Sequence, residues 1–212
     1  MNVPPDVTPD LAEVIGLHLG DGCLSRRLHG RHESNVVAFT AHKSEFWYYE
    51  EFVKPTMETT FGVSGRLYLR NDNTTRYHIN DKELVTYLSG LGLPIGKKAD
   101  AMIPRVIFKK GYTSRCIRGV YHAEGSLYRR YSKAYNQHAR VYDNLLSLQI
   151  RMKLKTLMNQ IHDELIRFGI LCNRLTEKHG VYTLRVTSQL EIAKFMEVIG
   201  PRYKSTPPPI TL

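Results

Sequence analysis

Residues 11–22 read Leu11-Ala12-Glu13-Val14-Ile15-Gly16-Leu17-His18-Leu19-Gly20-Asp21-Gly22. Leu11, Ile15 and Leu19 recur at i, i+4 and i+8, the spacing of one face of an α-helix. Gly16 and Gly20 are also four apart and share a face. Each glycine costs an isolated helix roughly 1 kcal/mol relative to alanine. A helix that keeps both is therefore expected to press that stripe against another backbone. Thr8-Pro9-Asp10 opens it with a cap, a proline at the first helical position and an early acid. Asp21 and Gly22 close it, with Gly22 expected as the C-terminal stop.

The stretch recurs. Gly119-Val120-Tyr121-His122-Ala123-Glu124-Gly125 matches Gly16 to Gly119, Gly20 to Ala123, Asp21 to Glu124 and Gly22 to Gly125, each pair 103 positions apart. Cys23-Leu24-Ser25-Arg26-Arg27 then lines up with Ser126-Leu127-Tyr128-Arg129-Arg130. Both copies set small residues four apart, Gly16 and Gly20 in one, Gly119 and Ala123 in the other, and end in an acid.

The flanks repeat as well. A strand is expected over 23–29 and another over 35–42. A helix capped by Ser44 runs to Phe61-Gly62, strands follow near 63–70 and 75–80, and a helix capped by Asn80 or Asp81 ends at Gly92. The second half has a motif helix near 114–124, a strand from Ser126, a polar segment near 132–143 and a strand near 145–152. A helix at 154–168, a stretch at Arg174-Leu175 matching Arg66-Leu67 of the first half's third strand, a strand over 182–187 and a helix over 188–199 complete it. The order is α-β-β-α-β-β-α twice. The expected divisions are 1–93, a basic connector 94–112, and 113–212. The fold class is α+β, each half giving one sheet face to its helices and leaving the other open.

Strand alternation sorts the sheet residues. Arg66, Tyr68 and Arg70 oppose Leu67 and Leu69; Arg76, His78 and Asn80 oppose Tyr77 and Ile79. Gln149, Arg151 and Lys153 oppose Leu148, Ile150 and Met152. Thr183, Arg185 and Thr187 oppose Tyr182, Leu184 and Val186. Ser25, Arg27, Tyr128 and Arg130 sit at matching places on the first strand of each half. A single polar face is ordinary; the recurrence points to a surface that reads bases, since arginine can bridge guanine N7 and O6 and glutamine can bridge adenine.

The chain has 212 residues, 42% of them hydrophobic, and a formal net charge of +10. The charge favours a polyanionic partner. Apolar runs such as Val14 to Leu19 fall far short of a membrane span. Met1 to Asp10 lacks the pattern of a signal peptide. The three cysteines are widely spaced and suit a reducing compartment; they form no zinc pattern. His29 and His32 stand without partner ligands and are read as solvated. The location expected is intracellular, in cytoplasm, nucleoid or organellar matrix.

Asp21 and Glu124 end their helices where the partial charge is negative. Two such acids close together call for a cation, and hard carboxylate oxygens suit Mg²⁺, with phosphate supplying further ligands.

The paired stretches resemble the signature of the LAGLIDADG homing endonuclease family in its single-chain, two-motif form. The resemblance implies motif helices packed at a pseudo-twofold axis through Gly16, Gly20, Gly119 and Ala123, and two antiparallel sheets forming a DNA-binding saddle. It implies Mg²⁺ or Mn²⁺ held at Asp21 and Glu124, with Gly20 and Ala123 beside them. It points to a helper lysine ahead of Ile103-Pro104, either Lys97 or Lys98, and to Lys204 at the corresponding later place. His42 stands where the family often has a polar residue late in the second strand; Met152 departs from that pattern, and Lys43 and Lys153 are neighbours that could serve instead. The implied activity is cleavage of both strands of a long, partly asymmetric double-stranded DNA target by a monomeric, intron-encoded enzyme. The alternative is an RNA maturase or transcription regulator of the same fold that binds nucleic acid without cutting DNA.

Overall fold

The computed structural model describes residues 6–29, 32–133 and 139–203, with 29, 32, 130–133 and 139–144 described by backbone alone. By packing the chain divides into two compact units, Met1–Ala123 and Glu124–Leu212.

The first unit opens with α1 (Pro9–Asp21) and the hairpin β1 (Gly22–His29) and β2 (His32–His42). A helical stretch follows over 43–61: a 3₁₀ turn Lys43–Glu45, α2 (Phe46–Tyr48), a π-turn Tyr49–Val53 and α3 (Lys54–Phe61). Then come β3 (Arg66–Leu69), β4 (Thr74–Asn80), α4 (Lys82–Gly90), α5 (Arg105–Lys110) and α6 (Thr113–Glu124). The four strands form one antiparallel sheet in the order β1-β2-β4-β3. The second unit holds β5 (Gly125–Lys133), β6 (Ala139–Met152), α7 (Lys155–Arg167), β7 (Thr176–Lys178), β8 (Val181–Val186) and α8 (Gln189–Val198). Its sheet repeats the order as β5-β6-β8-β7. The expected αββαββα order holds in both repeats, and α5 is an added helix in the connector. By contacts α6 counts with the first unit, although its sequence opens the second repeat.

Each sheet buries one face. In the first unit Leu24, Val37, Phe39, Tyr77 and Ile79 lie under the helices, all 2% exposed or less. In the second, Leu148, Ile150, Leu184 and Val186 do the same, with α8 over β6 and α7 over β8. Residues 11–19 of α1 are buried all round, so this helix runs through the interior of its unit.

Several local expectations hold and several change. Thr8 caps α1 by accepting from Leu11 N, and Asp81 caps α4 by accepting from Leu84 N. Ser44 is not the cap of its helix: the His42 side chain accepts from Ser44 N at 3.3 Å. The π-turn ends with Lys54 N donating to Tyr49 O, just ahead of Pro55, which cannot donate to the preceding turn. Gly62 closes α3 with φ +63 and donates to Glu58 O, and Gly169 repeats the positive φ after α7. Gly22 is the C-cap of α1 and donates to His18 O, but without a left-handed backbone. Its φ is −81, and it is glycine for space, since a Cβ there would overlap His18.

β3 is shorter than expected, so Arg70 lies beyond it in the turn to β4, where it pairs with Asp72 at 3.3 Å. Leu69, placed by alternation on the apolar face, is 56% exposed, because β3 is an edge strand. The polar segment expected near 132–143 contributes strand at both ends: β5 reaches Lys133 and β6 starts at Ala139. The hairpin register shifts between Arg129 and Tyr131. Residues 134–138 lie outside the described residues.

Candidate active site and nucleic-acid interface

Gly16 of the α1 stripe lies as its composition requires. A Cβ added to Gly16 would overlap the carbonyl of Cys116 on α6, and one added to Gly119 would overlap the carbonyl of Glu13 on α1. The two helices thus cross backbone on backbone, with Gly16 and Gly119 at the crossing. No side chain larger than hydrogen fits either place.

Asp21 ends α1 and is half-buried; Glu124 ends α6 and is half-buried. The connector reaches the end of α1 along β1. Leu24 bridges Ile95, and Gly96 N donates to Leu24 O at 2.8 Å. This places Lys98 against the last turn of α1. Its ammonium donates to His18 O at 3.2 Å, to Leu19 O at 3.1 Å and to Gly20 O. A cation on the terminal carbonyls complements the negative end of the helix. Of the two helper candidates, Lys98 is the one brought to Asp21's helix end, while Lys97 is exposed.

Beneath this end, His18 is 1% exposed and neither ring nitrogen has a hydrogen-bond partner. Its ring meets Phe39 edge-on at 5.9 Å. Burial, with the Lys98 charge adding, holds its pKa down to about 3, so the imidazole is neutral. The Tyr49 hydroxyl is also buried without a partner. Burial pushes it well up, and the Asp21 and Glu45 carboxylates push the same way.

The other helper candidates are carried by other elements. His42 is exposed at the end of β2, with Nδ1 2.8 Å from Ser44 Oγ. Lys43 donates to Asn73 Oδ1 at 2.9 Å. Met152 is 5% exposed, part of the core face, and Lys153 is exposed beside it. Lys204 lies outside the described residues. Among those residues no group of three or more His, Cys, Asp and Glu side chains gathers as a metal site. The set read from sequence is smaller than that: one acid at each motif end, with the carbonyls of Gly20 and Ala123. In this structure the Gly20 carbonyl faces the Lys98 ammonium.

The open face of the first sheet carries the expected polar residues in register. Arg66 pairs with His78, Tyr68 with Arg76, and His78 in turn with Ala38. Ser25 and Arg27 lie across from Val36 and Ser34 on the same face. The Arg66 guanidinium sits 5.2 Å from the Tyr68 ring centroid, and Tyr68 meets His78 edge-on. His78 titrates low, through burial and then the Arg76 and Arg66 charges beside it. Arg76 Nε and His78 Nδ1 are buried without hydrogen-bond partners. Arg26, by contrast, faces the helices and binds Asn35 and Thr86. In the second sheet Ser126 pairs with Gln149, Gln149 with Arg185, and Arg151 with Thr183; Tyr128 is 36% exposed. Arg130 falls at the register shift, and its side chain is outside the described residues.

The sequence reading missed a buried charge. Glu13 is fully buried in α1; its Oε2 accepts from Arg118 Nη1 at 3.3 Å and its Oε1 from Tyr48 OH at 3.0 Å. Tyr48 also stacks on His122 at 4.3 Å. One signal was present: an acid set inside an otherwise apolar helical stretch.

No protein-family model matches the chain. Among curated proteins it is similar to the replication factor C small subunit of Methanocaldococcus jannaschii, at 25% identity over 202 residues that take in 92% of this chain and 10% of that protein. The chain thus spans about a tenth of the length of that relative. Among solved structures it is similar to I-DmoI in complex with DNA and Mn, at 20% identity and a TM-score of 0.63, covering 92% of this chain and 98% of that one. It is similar to the LAGLIDADG meganuclease I-AabMI bound to uncleaved DNA, at 15% and 0.60, covering 90% and 83%. The meganuclease I-SmaMI bound to DNA it cannot cleave gives 14% and 0.62, covering 96% and 86%. The chain has the fold of the LAGLIDADG homing endonucleases.

Proposed function

We propose that this chain, with the fold of the LAGLIDADG homing endonucleases, is a site-specific endonuclease that hydrolyses both strands of a long, partly asymmetric DNA duplex. The observation that carries the reading is the backbone-to-backbone crossing of two helices that each end in an acid. Gly16 on Cys116 and Gly119 on Glu13 are matched contacts, each glycine standing five positions ahead of the acid that ends its helix.

The donors suit a hard divalent cation, since the Asp21 and Glu124 carboxylates and the Gly20 and Ala123 carbonyls are all oxygen. The end of α1 already takes a cation, the Lys98 ammonium. Mg²⁺ or Mn²⁺, when bound, supplies Lewis acidity and an acidified water at the phosphate. The chain's own residues do the rest. Asp21 and Glu124 would hold such a cation and orient the attack. Lys98 and His42 are the candidates for moving protons or steadying charge at the phosphate. Arg27, Arg66, Arg76, Arg151 and Arg185 hold the duplex, and Tyr68, His78, Tyr128 and Gln149 contact bases beside them. The enzyme is proposed to act as a monomer and to serve the mobility of its own gene.

The test is incubation with a plasmid library carrying randomised inserts, with Mg²⁺ or with chelator, followed by sequencing of the broken ends. Double-strand ends that cluster on one sequence only with Mg²⁺ are expected. Binding to structured RNA with no DNA cleavage would replace this reading with the maturase.

A further inference from the structure

The two backbone contacts between α1 and α6 are equivalents in the repeat. Gly16 and Gly119 are 103 positions apart, and so are Glu13 and Cys116. Gly16 rests on the carbonyl of Cys116 just as Gly119 rests on that of Glu13. The glycine face of each helix is therefore self-complementary, which is the condition for isologous pairing between two copies. The charged contact breaks that equivalence. Glu13 meets Arg118, but the repeat equivalents of these two residues are Cys116 and Ile15, both apolar and both buried.

We infer that the Glu13–Arg118 pair sets the partner of the α1 face, directing it onto α6 of its own chain and away from α1 of a second copy. With the same crossing, an α1–α1 contact would set each Glu13 against Ile15 of the other chain and bury two carboxylates without a cation. An α6–α6 contact would set each Arg118 against Cys116. A buried charge without its partner is strongly penalised. The glycine contacts do not discriminate, because they are made of backbone alone. The glycines give closeness, and the ion pair gives choice by penalising the wrong pairing. Tyr48 donates to Glu13 from the helical stretch 43–61 of the same unit and so holds the carboxylate in place for Arg118.

The experiment uses the full chain with Glu13→Leu, Arg118→Leu, and both together with Tyr48→Phe, so that no hydroxyl faces the new leucines. Each is refolded from denaturant over a wide concentration range, then measured by thermal unfolding and light scattering. Each single variant should lose about 10 °C of melting temperature or fail to fold. The combined variant should recover most of that loss and refold with a concentration-dependent dimer fraction, where the unaltered chain stays monomeric. Additive losses, or a combined variant that does not fold, would overturn the coupling. A combined variant that refolds as cleanly to monomer as the parent would overturn the role in partner choice, as would a parent chain that is itself a dimer.

Discussion

Gly16 on α1 lies directly against the carbonyl of Cys116 on α6, with no room for a Cβ between them. Because the obstacle is backbone, it cannot step aside as a side chain tip would. Gly16→Ala is expected to destabilise the protein by about 3 kcal/mol or more, the upper range for overpacking. Thermal unfolding should show a fall of about 6–12 °C for a chain of this size. An unchanged melting temperature would mean the helices do not cross there.

Lys98 and Lys97 should separate cleanly. Lys98→Met removes the cation from three terminal carbonyls of α1 and should cost about 1–2 kcal/mol. Hydrogen exchange should quicken in the last turn, at residues 18–21. Lys97→Met should leave both unchanged. Equal effects of the two substitutions in denaturant unfolding would refute the assignment of Lys98 as the residue holding that end.

Asp21→Asn and Glu124→Gln preserve shape while removing a charge and a good metal ligand. Each should abolish double-strand cleavage in Mg²⁺ while leaving gel-shift affinity for the target within a few fold. Full linearisation by both variants would sink the two-acid mechanism; loss of binding along with cutting would make the acids structural.

His18 should make the fold acid-sensitive. Its folded pKa is about 3, below the ordinary value of 6.5, so the unfolded chain binds the proton first as pH falls. Above 6.5 neither state is protonated there and His18 adds no pH dependence. Between 6.5 and 3 stability falls with pH at up to about 1.4 kcal/mol per unit from this one residue. His18→Leu should be no less stable at pH 7.5 and progressively more stable than the parent towards pH 5. Parallel stability curves for the two proteins would contradict the burial of an uncharged ring.

The motif helices and the order of elements were legible because both rest on local signals: a helical period, caps such as Thr8 and Asp81, and a repeat at constant offset. The open sheet faces were legible for the same reason, since alternation in β4 and β6 needs no knowledge of neighbours. What escaped depends on distant parts of the chain. Glu13 finds its cation 105 positions away at Arg118. Adjacent lysines 97 and 98 cannot be told apart until the connector is laid along β1. Alternation assigned Leu69 to the core, but only the sheet order reveals β3 as an edge strand. Gly22 was correctly read as a place for glycine and for the wrong reason: the constraint is the His18 ring, not the backbone angle.

The membership of α6 in the first packing unit bears on how the protein is made. The glycine face of α1 emerges early in synthesis, and the helix that covers it follows about a hundred residues later. At about 5–20 residues per second, that face and the carboxyl of Glu13 wait roughly 5–20 seconds on the ribosome for Gly119 and Arg118. Through that interval the nascent first repeat carries a sheet and its covering helices but an unfinished centre. A pause in translation just before α6 would lengthen the exposure, whereas one placed after it would let the first unit close before the second sheet appears.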